Sequence, residues 1–176
     1  MCTTAIVNDL EILENEPIPT WFHVGGRADR LVNVRDQADL ARAIALDPSA
    51  RVLGDGANLL VDDGGVGELV IATKRMNRVR IESKSGKVWA EAGADLPKLI
   101  VATVREGLAG LEGLGGVPAT VGGATIMNAG GKFGEIADSI TAVHVVDRSG
   151  RERVLSRSEI QFSYRHSGLA PFLVTA

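Results

Sequence analysis

The chain has a single cysteine, Cys2, in 176 residues. An intrachain disulfide is therefore excluded, and a thiol so close to the N-terminus reads as incidental rather than nucleophilic. Aromatic residues make up only 4%, which leaves few platforms for stacked bases. Lysine and arginine are scattered among a slight excess of acidic residues, for a net charge of −3. No basic block offers a surface to nucleic acid. His23, His144 and His166 lie far apart and neither HExxH nor CxxC occurs, so zinc and haem lack their ligands and no metal is expected. No apolar stretch approaches the roughly 20 residues of a membrane helix. The N-terminal MCTTAIVNDLEILENEP is acidic where a secretory signal would be basic. A soluble, cytoplasmic globular protein without membrane contacts is expected.

What the chain has is patterned apolar segments and glycine. LVNVRD (31–36) reads as a short strand, followed by the helical spacing of QADLARAIAL with Asp36 as N-cap. RVLGDGANLLV (51–61) reads as strand, glycine turn, strand, and ELVIAT (68–73) resumes an extended run. A small β-α-β-β lobe is expected. RVRIES and KVWAEA flank Lys84-Ser85-Gly86 as a hairpin. ADLPKLIVATVREG (94–107) is the clearest helix, with Asp95 as cap, Pro97 in the first turn, Leu99, Ile100 and Val104 as the buried face and Gly107 as the stop. ITAVHVVD and RERVLS pair across Arg148-Ser149-Gly150, and the alternation Ile140, Ala142, His144, Val146 suits a strand with one covered face.

Seven of the 21 glycines fall between Gly113 and Gly131. Glycine costs a helix about 0.5–1 kcal/mol relative to alanine, so such clustering needs a reason. Either the loop packs tightly against other backbone, or a ligand lies against its N–H groups. Within the tract, Thr120 to Asn128 suits a short helix capped by Thr120, whose N-terminus would aim free N–H groups outward as an anion site. A second glycine loop, Gly54-Asp55-Gly56-Ala57-Asn58-Leu59, begins like a dinucleotide fingerprint but has Leu59 at the sixth position, where glycine or alanine belongs. A phosphate-binding loop at Gly131-Lys132 fails too, with Ile126 and Phe133 at its required positions. There is no Gly-x-Ser-x-Gly elbow. Two walls of backbone N–H groups, one from each lobe, would suit a diphosphate-bearing ligand held between lobes.

Four segments in order, Trp21-Phe22-His23-Val24-Gly25-Gly26-Arg27-Ala28-Asp29, VLGDGANLLV, GLEGLGGVPATVGGATIMNAGG and Phe162-Ser163-Tyr164-Arg165-His166-Ser167, resemble the UDP-N-acetylenolpyruvoylglucosamine reductase family. The resemblance runs from about residue 17 to the end. It implies an α+β fold: a two-subdomain FAD-binding domain of the vanillyl-alcohol-oxidase (PCMH) type, with subdomains at 17–75 and 76–176. By the same resemblance, Gly54, Gly56, Ala57 and Asn58 would line the diphosphate, and Val117, Gly122, Gly123, Asn128 and Gly130 would face FAD from the second subdomain. Ala57 stands where the family usually has serine, a lost hydrogen bond worth about 0.5–1.5 kcal/mol. Ala119 replaces a common glycine, and Gly131-Lys132-Phe133 departs from the usual pattern.

The implied activity is the FAD-dependent reduction of a UDP-sugar enolpyruvyl ether by NADPH, in peptidoglycan precursor synthesis, with no protein partner. Arg165 matches the family's catalytic arginine, and a guanidinium fork suits a developing enolate and its carboxylate. Tyr164 would stand beside it as a substrate-facing or orienting hydroxyl; the alternative is an arginine in a surface ion pair with a tyrosine packed below. The family's proton-donating serine and its supporting glutamate belong to a later substrate-binding domain and match no position here. The chain stops at Pro171-Phe172-Leu173-Val174-Thr175-Ala176, within an expected strand, so the substrate-binding domain is expected to be missing from it. A non-catalytic flavin-binding module is the alternative. An oxidase on the same scaffold would often tether flavin through His or Cys, which neither glycine loop contains.

Overall fold

The computed structural model describes residues 3–176, so Cys2 lies outside the described residues. The first lobe is built from β1 (Thr3–Val7), β2 (Leu10–Pro17), β3 (Arg27–Asn33), α1 (Gln37–Leu46), β4 (Arg51–Leu53) and β5 (Val66–Ala72). Its five strands run in the order β1-β2-β3-β5-β4. β1, β2 and β3 pair antiparallel, whereas β5 lies parallel to both β3 and β4. The opening hairpin was not expected, and the sheet therefore takes in strand residues ahead of position 17. Its turn is Asn8-Asp9, with both residues at positive φ (49° and 63°), the backbone that a two-residue hairpin loop favours. Alternation along β2 then buries Leu10 and Ile12 against α1.

Two expected boundaries move. The strand placed at 31–36 begins earlier, at Arg27, and ends at Asn33, because Asp36 is occupied as the N-cap of α1 and accepts from Asp39 N at 2.8 Å. The second strand expected within 51–61 is absent, since after Leu53 the chain runs as loop until Val66. β4 is the edge of the sheet and already pairs with β5, and Leu59 and Leu60 are exposed.

Asp39 is buried within the first turn of α1. Its carboxylate accepts from Arg35 Nε at 2.8 Å, Arg35 N at 3.1 Å and Arg42 Nη2 at 2.6 Å. The hydrogen bond from the Arg35 side chain is the main cause that holds its pKa at about 2, against the opposing effect of burial. A carboxyl whose pKa is depressed by folding stabilises above its unfolded value and loses that contribution as pH falls towards the folded one. After allowance for solvent screening of the exposed guanidiniums, on the order of 1–2 kcal/mol should be lost between about pH 5 and pH 2. Asp39→Asn should remove that part of the acid sensitivity in urea unfolding; an unchanged pH profile would rule it out.

The second lobe contains β6 (Val79–Glu82), β7 (Lys87–Ala90), α2 (Leu96–Arg105), α3 (Val121–Ile126), β8 (Gly130–Gly131), β9 (Gly134–Glu135), β10 (Ala142–Asp147), β11 (Glu152–Ser156) and β12 (Phe172–Val174). The expected hairpins, β6 with β7 and β10 with β11, are both present. α2 has Asp95 as its cap and Pro97 in its first turn. Its buried face is Leu96, Leu99, Ile100 and Thr103; Val104, expected inside, is 54% exposed.

β10 is the middle strand of β11-β10-β12. Its phase differs from expectation, because Val143 and Val145 enter the lobe's own core while Ala142 is exposed. Val146, on the opposite phase, joins Leu173 of β12 in the apolar cluster beneath α1. The lobes are thus joined through shared core. Arg148, in the turn after β10, crosses the same joint and donates from Nη1 to the carbonyls of Ala50 at 2.7 Å and Pro48 at 3.3 Å.

Candidate functional site

Between the lobes lies a cleft of about 740 Å³. Its first wall is the loop after β4. Strand pairing ends at Leu53, whose carbonyl accepts from Thr73 N at 2.9 Å. Beyond it the main-chain N–H groups of Gly54, Asp55, Gly56, Ala57 and Asn58 make no hydrogen bond to any described residue. Five successive unpartnered amides in a partly open loop form a concavity suited to an anion. The segment before β3 clamps this loop from behind: Trp21 N donates to Gly56 O at 3.3 Å, and Trp21 Nε1 donates to Asp55 Oδ2 at 2.8 Å.

The opposite wall is α3 and the glycine loop before it. Thr120 caps α3, and its Oγ1 accepts from Gly123 N at 3.3 Å. The helix N-terminus is not the open anion site expected of it. Val121 N donates to Ala94 O and Gly122 N donates to Ala92 O, both at 2.8 Å, so these amides tie α3 to the chain before α2. The amides of Ala119 and Thr120, just ahead of the helix, remain unpartnered within the described residues. The anion-binding capacity therefore lies mainly in the first wall.

Packing accounts for three of the glycines. A Cβ on Gly54 would stand 2.5 Å from Thr120 Oγ1, one on Gly56 2.6 Å from Pro19 O, and one on Gly122 2.7 Å from Ala92 Cβ. Those three are glycine because protein backbone and side chains press against them. A Cβ on Gly123 would meet only Thr120 Oγ1, at 3.3 Å, and Gly123 is exposed to the cleft. The contact of Gly54 with Thr120 also shows that the two glycine loops face each other.

Of the anticipated cofactor residues, Gly54, Gly56, Ala57, Asn58, Val117, Gly122 and Gly123 line the cleft. Asn128 and Gly130 do not line it. Asn128 is buried, donates from Nδ2 to Ser163 O at 3.0 Å and accepts from Ala137 N at 3.3 Å. Gly130 pairs with Glu135. Arg165 lines the cleft, whereas Tyr164 is 86% exposed and does not. Both occupy a tight turn closed by Ser163 N to His166 O at 2.8 Å and His166 N to Ser163 O at 3.0 Å. Arg165 adopts φ +56°, an unfavourable conformation for a long side chain. Asn128 and Ser167, whose Oγ donates to Ile126 O at 2.8 Å, fasten this turn to the end of α3.

Arg148 and Thr73 also line the cleft, and sequence reasoning missed both. From sequence Arg148 reads only as part of a hairpin turn; no local pattern shows that this turn reaches the other lobe. A second hollow, of about 330 Å³, lies on α2 around Pro97 and Val101 and has no glycine loop in its wall. No cluster of metal-ligating side chains occurs among the described residues. None of their helices is long and apolar enough to cross a membrane.

A family model described as an FAD binding domain matches residues 28–156. The UDP-N-acetylenolpyruvoylglucosamine reductase of Moorella thermoacetica is 42% identical over 166 residues, covering 91% of this chain and 54% of that protein. Its counterpart in Caulobacter sp. (strain K31) is 46% identical over 156 residues, covering 85% and 50%. The crystal structure of the Thermus caldophilus reductase superposes with a TM-score of 0.80 at 40% identity, over 99% of this chain and 60% of that one. A variant of the glucose dehydrogenase Phl p 4 gives a TM-score of 0.66 at 17% identity over 90% of this chain and 36% of that one, a likeness of fold alone. The chain spans about half the length of the curated relatives it matches. The fold is thus α+β and of the vanillyl-alcohol-oxidase type.

Proposed function

Since the chain belongs to the FAD binding domain family, we propose that it is the FAD-binding part of a UDP-N-acetylenolpyruvoylglucosamine reductase, which makes a precursor of peptidoglycan. The observation that carries the reading is the cleft itself, where five unpartnered amides at 54–58 face the Thr120 end of α3 and the turn bearing Arg165. This cradle fits FAD in two respects. Its amides are donors for a diphosphate, and its other wall presents Val117, Gly123 and Ala124, none of which carries a polar side chain.

Bound FAD would supply the transfer of reducing equivalents from NADPH to the enolpyruvyl ether. The residues of this chain have three tasks. Gly54, Gly56, Ala57 and Asn58 hold the diphosphate through main-chain N–H groups, and Ala57 adds no hydroxyl to them. Val117, Gly122 and Gly123 shape the opposite wall, and Asn128 braces the Arg165 turn through its bond to Ser163 O. Arg165 presents a guanidinium to the negative charge that develops on the substrate's enolpyruvyl carboxylate and enolate, and Tyr164 flanks it on the exposed side of the turn. The need for NADPH and a sugar nucleotide places the reaction in the cytoplasm.

The test is an absorbance titration. Purified protein should take up FAD, and its visible flavin band should bleach with NADPH in the absence of oxygen. In the full-length protein the band should return when the enolpyruvyl sugar nucleotide is added. Failure to bind FAD at any concentration would overturn the reading. A full-length protein that is bleached but never reoxidised by the sugar nucleotide would favour a non-catalytic flavin module.

A further inference from the structure

The diphosphate loop contains an acid, which is unexpected in a cradle for an anion. Asp55 lies between Gly54 and Gly56, and its residue lines the cleft. An aspartate in such a loop readily folds its carboxylate onto a backbone N–H two residues on; here that would occupy one of the free amides and present a negative charge to an incoming phosphate. The structure shows neither oxygen turned inward. Oδ1 accepts from Lys74 Nζ at 2.6 Å and Oδ2 from Trp21 Nε1 at 2.8 Å. Lys74 follows the end of β5 and Trp21 precedes β3, so the carboxylate is held by anchors from two different segments of the sheet. Burial favours the neutral acid, but the bonds from Lys74 and Trp21 and the charge of Lys74 prevail, leaving its pKa below the ordinary carboxylate range.

We propose that Lys74 is a positioning residue for the diphosphate loop, neutralising Asp55 and holding its carboxylate off the amides of Gly54–Asn58 so that they stay open to FAD. The proposal rests on the FAD reading above. Lys74 is 70% exposed, and an exposed ion pair contributes little to stability. Its removal should therefore affect binding and leave the fold intact.

The experiment is a double-mutant cycle on FAD affinity, read by quenching of flavin fluorescence, with melting temperature as control. Lys74→Met should weaken FAD binding by about tenfold or more, because an unneutralised carboxylate then faces the diphosphate. Asp55→Asn alone should change affinity by less than about threefold, since the wild-type acid is already neutralised. The double variant should bind FAD within about threefold of wild type, because removing the acid makes the lysine dispensable. Melting temperatures should be unchanged throughout. Wild-type affinity in Lys74→Met, or a double variant as weak as Lys74→Met, overturns the proposal. So does additivity, in which Asp55→Asn tightens FAD as much as Lys74→Met loosens it, because that is the signature of simple net charge. Wild-type protein that binds no FAD overturns the family reading as well, and the wild-type arm separates that failure from the others.

Discussion

Arg165→Ala in a full-length protein is expected to lower turnover by about 10²–10³-fold, the usual loss when a fixed donor to a developing oxyanion is removed. FAD affinity should stay within about twofold, because the amides proposed to hold the diphosphate belong to the opposite lobe. Arg165→Lys should recover little, since an ammonium cannot present two parallel N–H donors to a carboxylate. Arg165→Gly makes the test sharper. Arg165 holds φ +56° in its turn, which costs a residue with a Cβ about 1–2 kcal/mol and glycine almost nothing. That variant should unfold at a higher urea concentration while reducing the sugar nucleotide as poorly as Arg165→Ala. Strain kept at a position where relieving it abolishes activity is the mark of a side chain held for its chemistry. Wild-type turnover in Arg165→Ala would reject the assignment.

The parts of the fold that sequence revealed are those whose signals are local. Asp36, Asp95 and Thr120 each cap the helix that follows them, with the side chain accepting a backbone N–H three residues on. Lys84-Ser85-Gly86 turns a hairpin, with Gly86 at φ +71°. Asn8-Asp9 carries a comparable turn signal between TAIV and LEIL, and both residues hold the positive φ that it implies. Other features depend on partners distant in sequence. Leu59 and Leu60 look like a strand, yet no strand is available to pair with them beyond β4. Val146 is buried because the first lobe covers it, which the periodicity of β10 cannot announce.

The site divides in the same way. Its glycine loops and the Arg165 turn stood out by composition and resemblance, and the cleft brings most of those residues together. Composition could not show which amides were already bonded. Val121 and Gly122 donate to Ala94 and Ala92, and that removes the helix-end anion site while leaving the loop at 54–58 open. Nor could it show that Asn128 bonds to the backbone of Ser163, acting on the Arg165 turn.

The adjacent glycines 122 and 123 should respond in opposite ways to the same substitution. Gly122→Ala would force a methyl to within 2.7 Å of Ala92 Cβ and 3.0 Å of Ala92 O, at the point where Gly122 N is bonded to that same carbonyl. Neither neighbour is a flexible side-chain end, so α3 must move, and the protein should lose about 1–3 kcal/mol of stability, as overpacked sites do. Gly123→Ala meets only the capping oxygen of Thr120, at 3.3 Å. Alanine is the better helix former by up to about 1 kcal/mol, a gain realised as the Thr120 hydroxyl gives by the few tenths of an ångström that the methyl needs. Its methyl would project into the cleft, where FAD is proposed to lie flat against the backbone. An overpacking cost of about 1–3 kcal/mol on the ligand translates into roughly 10–100-fold weaker FAD binding. Urea unfolding and FAD titration of the two variants measure both effects. A stabilised Gly123→Ala that binds FAD as tightly as wild type would show that no flat ligand rests on this wall, and would leave packing as the sole reason for its glycines.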